Sequence, residues 1–278
     1  MNDATSAPPE FLIESEQSGV RLNLGELWRF RELLYFLTLR DIKVRYKQTL
    51  LGITWVLIQP LLTMLIFTLV FNRFVRVNTG AMPYPLFALS GLMLWLFFSN
   101  AVTNSTASLV LNAQLISKVY FPRMFIPAAS VGTGLVDSAI SLSLLIIVAI
   151  YYGTTWTLSA LLLPLFILLM ALFALGVGLI FASLTVKYRD LRHALPFLIQ
   201  LWMFASPVVY PASVVPQKWQ WILLINPVAA ILEGFRAALT GSPIDWLRLL
   251  IASAIILFVL IVALYVFRRA EDGFVDVI

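Results

Sequence analysis

The chain has 278 residues, of which 61% are hydrophobic and only 12% charged, with 19 Lys and Arg against 14 Asp and Glu. Soluble domains average about 25% charged and 45–50% apolar residues, so this chain lacks the charge to cover its apolar side chains in water, and lipid is the solvent that fits. The absence of cysteine excludes a disulfide framework and a thiolate metal site, and the basic residues gather at the ends of apolar segments, which points to membrane orientation rather than to nucleic acid.

Residues 1–23 carry acidic and small polar groups where a signal peptide needs an apolar core. They read as a flexible cytoplasmic tail, with targeting left to the first membrane span, and residues 24–278 read as a single transmembrane domain. Residues 26–47 contain no Gly or Pro and run from an apolar stretch into Arg40, Lys43, Arg45 and Lys47. This predicts a helix at the cytoplasmic headgroups, where Trp28, Tyr35 and Tyr46 suit the boundary. Its amphipathicity is imperfect, and partial burial against a helical bundle is the alternative.

A hydrocarbon core about 30 Å thick takes roughly 20 apolar residues at 1.5 Å each. Residues 52–71, 84–103, 127–152, 158–184, 194–210 and 246–267 supply six such stretches. The third is interrupted by Asp137, the fourth needs tilt, and the fifth is the shortest, with Pro207 expected to bend its far end. Six spans put both termini on one face, and fourteen of the nineteen Lys and Arg fall on that face. Arg73, Arg76, Lys218, Arg236 and Arg248 fall on the other. The positive-inside rule makes the richer face cytoplasmic. The expected fold is an all-α integral membrane protein of six transmembrane helices with both termini in the cytoplasm.

The external connection between the fifth and sixth spans holds two short apolar pieces. Asn226 and Pro227 form a helix start, with Asn as N-cap and Pro at the first helical position, and Gly241 provides a stop. A helix over 227–240 is about 21 Å long, too short to cross. With residues 218–225 it predicts a short external re-entrant helical hairpin, tolerated where protein or water covers its backbone.

The chemistry of an enzyme is not assembled. The sequence contains neither the G-x-x-x-x-G-K-[ST] phosphate loop nor H-E-x-x-H, and its one histidine, His193, stands beside Arg192 at a cytoplasmic helix end. No cofactor or metal site is expected in the chain, and no catalytic residue. Asp137 is the one ionisable residue deep in a span, and it must face protein or water. It shares a stripe with Ser130, Thr133, Gly134, Ser138 and Ser141, which reads as a packing face with Asp137 bonded to Ser or Thr hydroxyls, or as a conduit lining. Ala174, Gly178 and Ala182 form a second small-residue ladder, suited to helix–helix contact. Trp55, Gln59, Thr63 and Phe67 share one face of the first span, and Gln200 and Phe204 share a face of the fifth, with Trp202 and Tyr210 nearby. Aromatic faces beside amides suit sugar rings; interfacial belts and ordinary packing are the alternative for the aromatics.

The run RDIKVRYKQTLLGITWVLIQPLLTMLIFTLVF at 40–71 and NAQLISKVYFPRMFIP at 112–127 resemble permeases of the type-2 ABC exporter family that move O-antigen, capsule and teichoic acid polymers. So do the Asn226-Pro227 helix ending in FRAALTG and the closing FRRAEDGFVDVI. Each motif alone is modest; their order and placement, from about Leu24 to the last residue, are specific.

The resemblance implies a homodimer in the bacterial cytoplasmic (inner) membrane, bound to two copies of a separate cytoplasmic ATPase that holds the ATP and Mg. It implies a conduit between protomers lined by Trp55, Gln59, Thr63, Phe67, Gln200, Phe204 and Tyr210. It implies that an undecaprenyl-pyrophosphate-linked glycan, O-antigen foremost, arrives beside the N-terminal helix. There Arg40, Lys43, Arg45 and Lys47 either hold the pyrophosphate or only attract anionic membrane lipid. Contact with the ATPase falls to the loop after the second span, with Asn112, Gln114, Lys118, Tyr120, Phe121 and Arg123; headgroup anchoring is the alternative for Tyr120 and Phe121. Competing expectations are an ABC exporter of teichoic acid, capsule, a drug or a small lipid, and a secondary transporter, which a lone Asp137 and one bent span do not match.

Overall fold

A computed structural model describes residues 24–47, 52–74, 78–80, 82–119, 121–271 and 273–274. The tail at 1–23, Arg76 and Tyr120, all of them singled out from the sequence, lie outside the described residues. Eleven α-helices are described: α1 (Leu24–Arg29), α2 (Arg31–Lys47), α3 (Thr54–Phe67), α4 (Tyr84–Leu111), α5 (Ala113–Lys118), α6 (Phe125–Tyr151), α7 (Leu163–Lys187), α8 (Leu191–Phe204), α9 (Gln220–Ile225), α10 (Pro227–Thr240) and α11 (Trp246–Glu271). Among the described residues five helical stretches are long and apolar enough to cross a membrane, and up to six if the bent pair α9–α10 counts as one.

The core is built around α4, which packs on α6 and α7, with α11 on the far side of α7 and α10 wedged among α4, α7 and α11. Small residues set these approaches. A Cβ on Gly178 would lie 2.8 Å from Ser105 Cβ, and one on Gly134 would lie 3.0 Å from Phe97, so α4 meets both partners where they lack a side chain. Ala174 and Ala182 are fully buried on the same α7 ladder. Phe98, Phe173 and Trp202 close the centre, with Trp202 edge-on to both rings at 5.3 and 5.6 Å.

Several boundaries differ from the sequence expectation. The second span runs on from 103 to Leu111. Its polar residues do not end the helix because their hydroxyls bond carbonyls nearby: Thr106 to Val102 at 2.8 Å, Ser108 to Ser105 at 2.7 Å, and Ser105 across to Pro127 at 3.0 Å. The stretch read as a fifth span is helical only over Leu191–Phe204, about 21 Å. Pro207 offers no N–H to continue the ladder and disfavours helix just before itself, so residues 205–210 turn. The sequence features around Asn226 are used as expected: Asn226 Oδ1 accepts from Val228 N at 3.1 Å, and Gly241 takes φ +73° just past α10. The helices α9 and α10 meet at 92°, with α9 exposed and α10 mostly enclosed by protein.

Candidate functional site

The arrangement with chemical potential lies where α2 climbs α6. Leu37 is buried at the start of this contact, and Thr38 rests against Gly132, where a Cβ would come within 3.0 Å of Thr38 Oγ1. Farther along, Arg45 and Tyr46 both donate to Asp137. The contacts advance in the same direction on both helices, from Thr38 and Gly132 to Arg45 and Asp137, so α2 inclines along the span. Asp137 is thereby answered by a guanidinium and a phenol from another helix, not by the Ser and Thr hydroxyls of its own stripe. Burial, then the bond to Asp137 and its charge, push the Tyr46 phenol above its ordinary value, which keeps it a donor.

Beside this triad a pocket of about 270 Å³ opens between α3, α4 and α6. Trp55 and Gln59 contribute from α3, Asn100 and Asn104 from α4, and Asp137, Ser138 and Ser141 from α6. Asn100 and Asn104 are four apart and share one face of α4. Among the described residues neither amide makes a hydrogen bond, and the buried Ser138 Oγ has no partner. The sequence signal for the two amides is their i, i+4 spacing, but Asn104 falls just beyond the stretch 84–103 expected to span, and only the extension of α4 to Leu111 puts both on one helix.

The residues expected to line a conduit are not brought together within one chain. Trp55 is 55% exposed and faces the pocket with Gln59, whereas Gln200 and Phe204 are exposed on α8, which packs on α4 and α7. Thr63 turns its hydroxyl back to the Gln59 carbonyl at 2.8 Å. Phe67 packs on Phe71, which stacks on Tyr84, so it belongs to the core edge. Tyr210 donates to the Phe204 carbonyl at 2.8 Å, bracing the end of α8.

The basic group on α2 divides. Lys43 and Lys47 are exposed. Arg40 donates to Asp41 and to Asn112 Oδ1 at 2.9 Å, and Arg45 is committed to Asp137. The loop after α4 divides as well. Gln114 and Lys118 are exposed, but Phe121, expected to meet the ATPase or the headgroups, is only 5% exposed. It is covered by the cluster containing Leu37, Ile116 and Phe267, because an aromatic ring at a helix junction gains more from burial than from a headgroup. Arg123 is tied to the far end of the chain, its backbone N–H reaching Glu271 Oε1 at 3.1 Å and its guanidinium the Glu271 carbonyl.

The sequence offers Arg236 only as one of the cations on the outer face. It is 7% exposed, and its guanidinium donates to the carbonyls of Pro207 at 2.7 Å, Val208 at 2.6 Å and Phe87 at 3.2 Å while lying 3.6 Å over the Phe87 ring. Two of the three, Pro207 and Val208, are carbonyls that the turn after α8 leaves without helical partners, and the third, Phe87, lies in α4, so one cation satisfies the break and ties it to α4. Tyr84 adds a bond to Val209 O at 2.8 Å, and Asn226 one to Ser206 Oγ at 2.8 Å.

Residues 32–240 match the family described as ABC-2 type transporter. The chain is 31% identical over 262 residues to the O-antigen export system permease protein RfbA of Klebsiella pneumoniae, covering 93% of this chain and 98% of that one. It is 33% identical over 214 residues to the protein of the same name from Myxococcus xanthus, covering 76% and 82%. The polysialic acid transport protein KpsM of Escherichia coli is 26% identical over 242 residues, covering 85% and 93%.

Proposed function

The chain belongs to the ABC-2 type transporter family, and from that premise we propose that it is the transmembrane subunit of an ATP-driven exporter of undecaprenyl-pyrophosphate-linked polysaccharide, O-antigen foremost. The observation that carries this reading is the 31% identity to an O-antigen export permease over nearly the full length of both chains. The sequence has no phosphate loop, so the ATP and Mg belong to a separate ATPase, two copies of which serve a homodimer of this chain. The exposed amide and aromatic faces of α3 and α8 support a conduit completed by a second copy, because an amide facing lipid is costly. The distribution of Lys and Arg supports a bacterial inner-membrane topology with both termini cytoplasmic. Capsular polysaccharide is the second reading, favoured by the 26% identity to a polysialic acid transport protein.

Deletion of the chain tests the function. Lipid-linked glycan should accumulate on the cytoplasmic face, and restoring the chain together with an active ATPase should clear it. The protein should co-purify with that ATPase. Transport of a solute by the purified chain alone, without nucleotide, would overturn the proposal, as would termini mapped to opposite faces.

A further inference from the structure

We propose that the pocket between α3, α4 and α6 binds a single neutral pyranose ring within one protomer, a site that rests on the polysaccharide reading and runs from the α3 face, through Trp55 and Gln59, inward to Asn104 and Ser138. Its size of about 270 Å³ lies just under the range of ordinary small-molecule sites, roughly 300–1,000 Å³, and suits one ring rather than a chain. Its chemistry is that of a polyol partner. The amides of Gln59, Asn100 and Asn104 each offer donors and an acceptor, which is what sugar hydroxyls present in return. Trp55 and Phe97 bring aromatic rings to the lining, the residue type that packs on the C–H side of a sugar ring.

One observation points to a ligand: Ser138 Oγ is buried, belongs to a residue that lines the pocket, and has no hydrogen-bond partner among the described residues. Asn100, exposed, and Asn104, half-buried, stand four residues apart on α4 with amides not engaged by other described residues, so both are available to a polyol. Charge selects a neutral ligand: Asp137 is already matched by Arg45, so among the described residues the pocket lining presents neither an unpaired cation for a phosphate nor an unpaired anion for an amine. Asp137 retains acceptor positions beyond the two taken by Arg45 and Tyr46.

The natural chain has no cysteine, so Asn100→Cys places a single thiol in the pocket lining. In the permease–ATPase complex in nanodiscs, a polyprenyl-pyrophosphate-linked trisaccharide should slow maleimide labelling of that thiol severalfold, and bare polyprenyl pyrophosphate should not. With the wild-type permease the same trisaccharide should stimulate ATP hydrolysis. Ser138→Ala and Asn104→Leu should each raise its half-saturating concentration about tenfold, the loss of roughly one hydrogen bond. Equal protection by the bare lipid overturns the site, as do unchanged half-saturation in both variants and a thiol already protected by assembly with a second copy. A wild-type complex that transports and hydrolyses ATP but answers no lipid-linked glycan overturns the polysaccharide reading itself.

Discussion

Replacing Gly91 by Ala is the smallest perturbation that tests the buried Arg236 clamp. A methyl carbon at this position would overlap the Val208 carbonyl oxygen and Arg236 Nη2, and would stand 3.1 Å from the Val208 carbonyl carbon. The obstacle is backbone plus a guanidinium held by three carbonyls, so neither can step aside cheaply. Overpacking a tight interior costs about 1–3 kcal/mol, and losing one hydrogen bond to a charged group costs about 1.5–3 kcal/mol more. The gain in helix propensity from Gly to Ala returns about 1 kcal/mol. The net is a loss of about 3 kcal/mol, or about 6–12 °C in melting midpoint for a chain of this size.

The assay is thermal unfolding of purified protein at one fixed scan rate, because the midpoint of an irreversible transition depends on scan rate. The informative comparison is a double-mutant cycle with Arg236→Met. Once the guanidinium is gone, only the Val208 carbonyl opposes the added methyl, so Gly91→Ala should cost less in that background than in the parent. A Gly91→Ala protein that melts within about 1 °C of the parent would refute the close approach. An identical cost in both backgrounds would refute the part assigned to Arg236.

Three further outcomes follow from the same geometry. The pair Thr38→Cys and Gly132→Cys should form a disulfide under mild oxidation in this cysteine-free chain, because a Cβ on Gly132 lies 3.7 Å from Thr38 Cβ, close to the roughly 3.8 Å mean of natural disulfides; loss of both free thiols in a maleimide count checks it, and persistence of both would refute the docking of α2. The phenol of Tyr46 is raised by burial and by Asp137, so an unfolded chain releases that proton near pH about 10 while the docked one keeps it. The stability it contributes is therefore complete below that pH and declines above it, and Tyr46→Phe should flatten the alkaline fall of the melting midpoint. Asn226→Ala removes the cap of α10 and a bond to Ser206, and should lower stability by about 1–2 kcal/mol, read as a shifted melting midpoint.

What was legible in the sequence is what short-range chemistry writes. The limits of α10 could be read because Asn226 and Gly241 act on their own helix. The long spans could be read because lipid demands a stated length of apolar residues. The extension of α4 is not legible because Asn104, Ser105 and Thr106 look like a boundary until the hydroxyls of Ser105 and Thr106 are seen to bond the Pro127 and Val102 carbonyls. The partners of Asp137 lie 91 and 92 residues away on α2, and no local pattern announces a pairing at that separation. Phe121 was misplaced for the same reason: exposure depends on whether α2 and α11 cover the loop, which the loop itself does not encode.

The ties around the α4–α6 end explain why the loop divides as it does. Arg40 joins α2 to Asn112, where α4 passes into α5. Arg123 joins the α5–α6 junction to Glu271 at the end of α11. Arg45 joins α2 to Asp137 in the middle of α6. A loop that served only as a docking surface would leave its polar residues outward, but here Gln114 and Lys118 face out while Asn112 and Arg123 are wired inward. In the proposed assembly an ATPase seated on α5 would meet a segment whose two ends are tied to α2 and α11 and continue into α4 and α6. Two of these, α4 and α6, are walls of the polar pocket, and α2 supplies Arg45 to its lining, so helices that carry the loop's polar ties also frame the candidate sugar site.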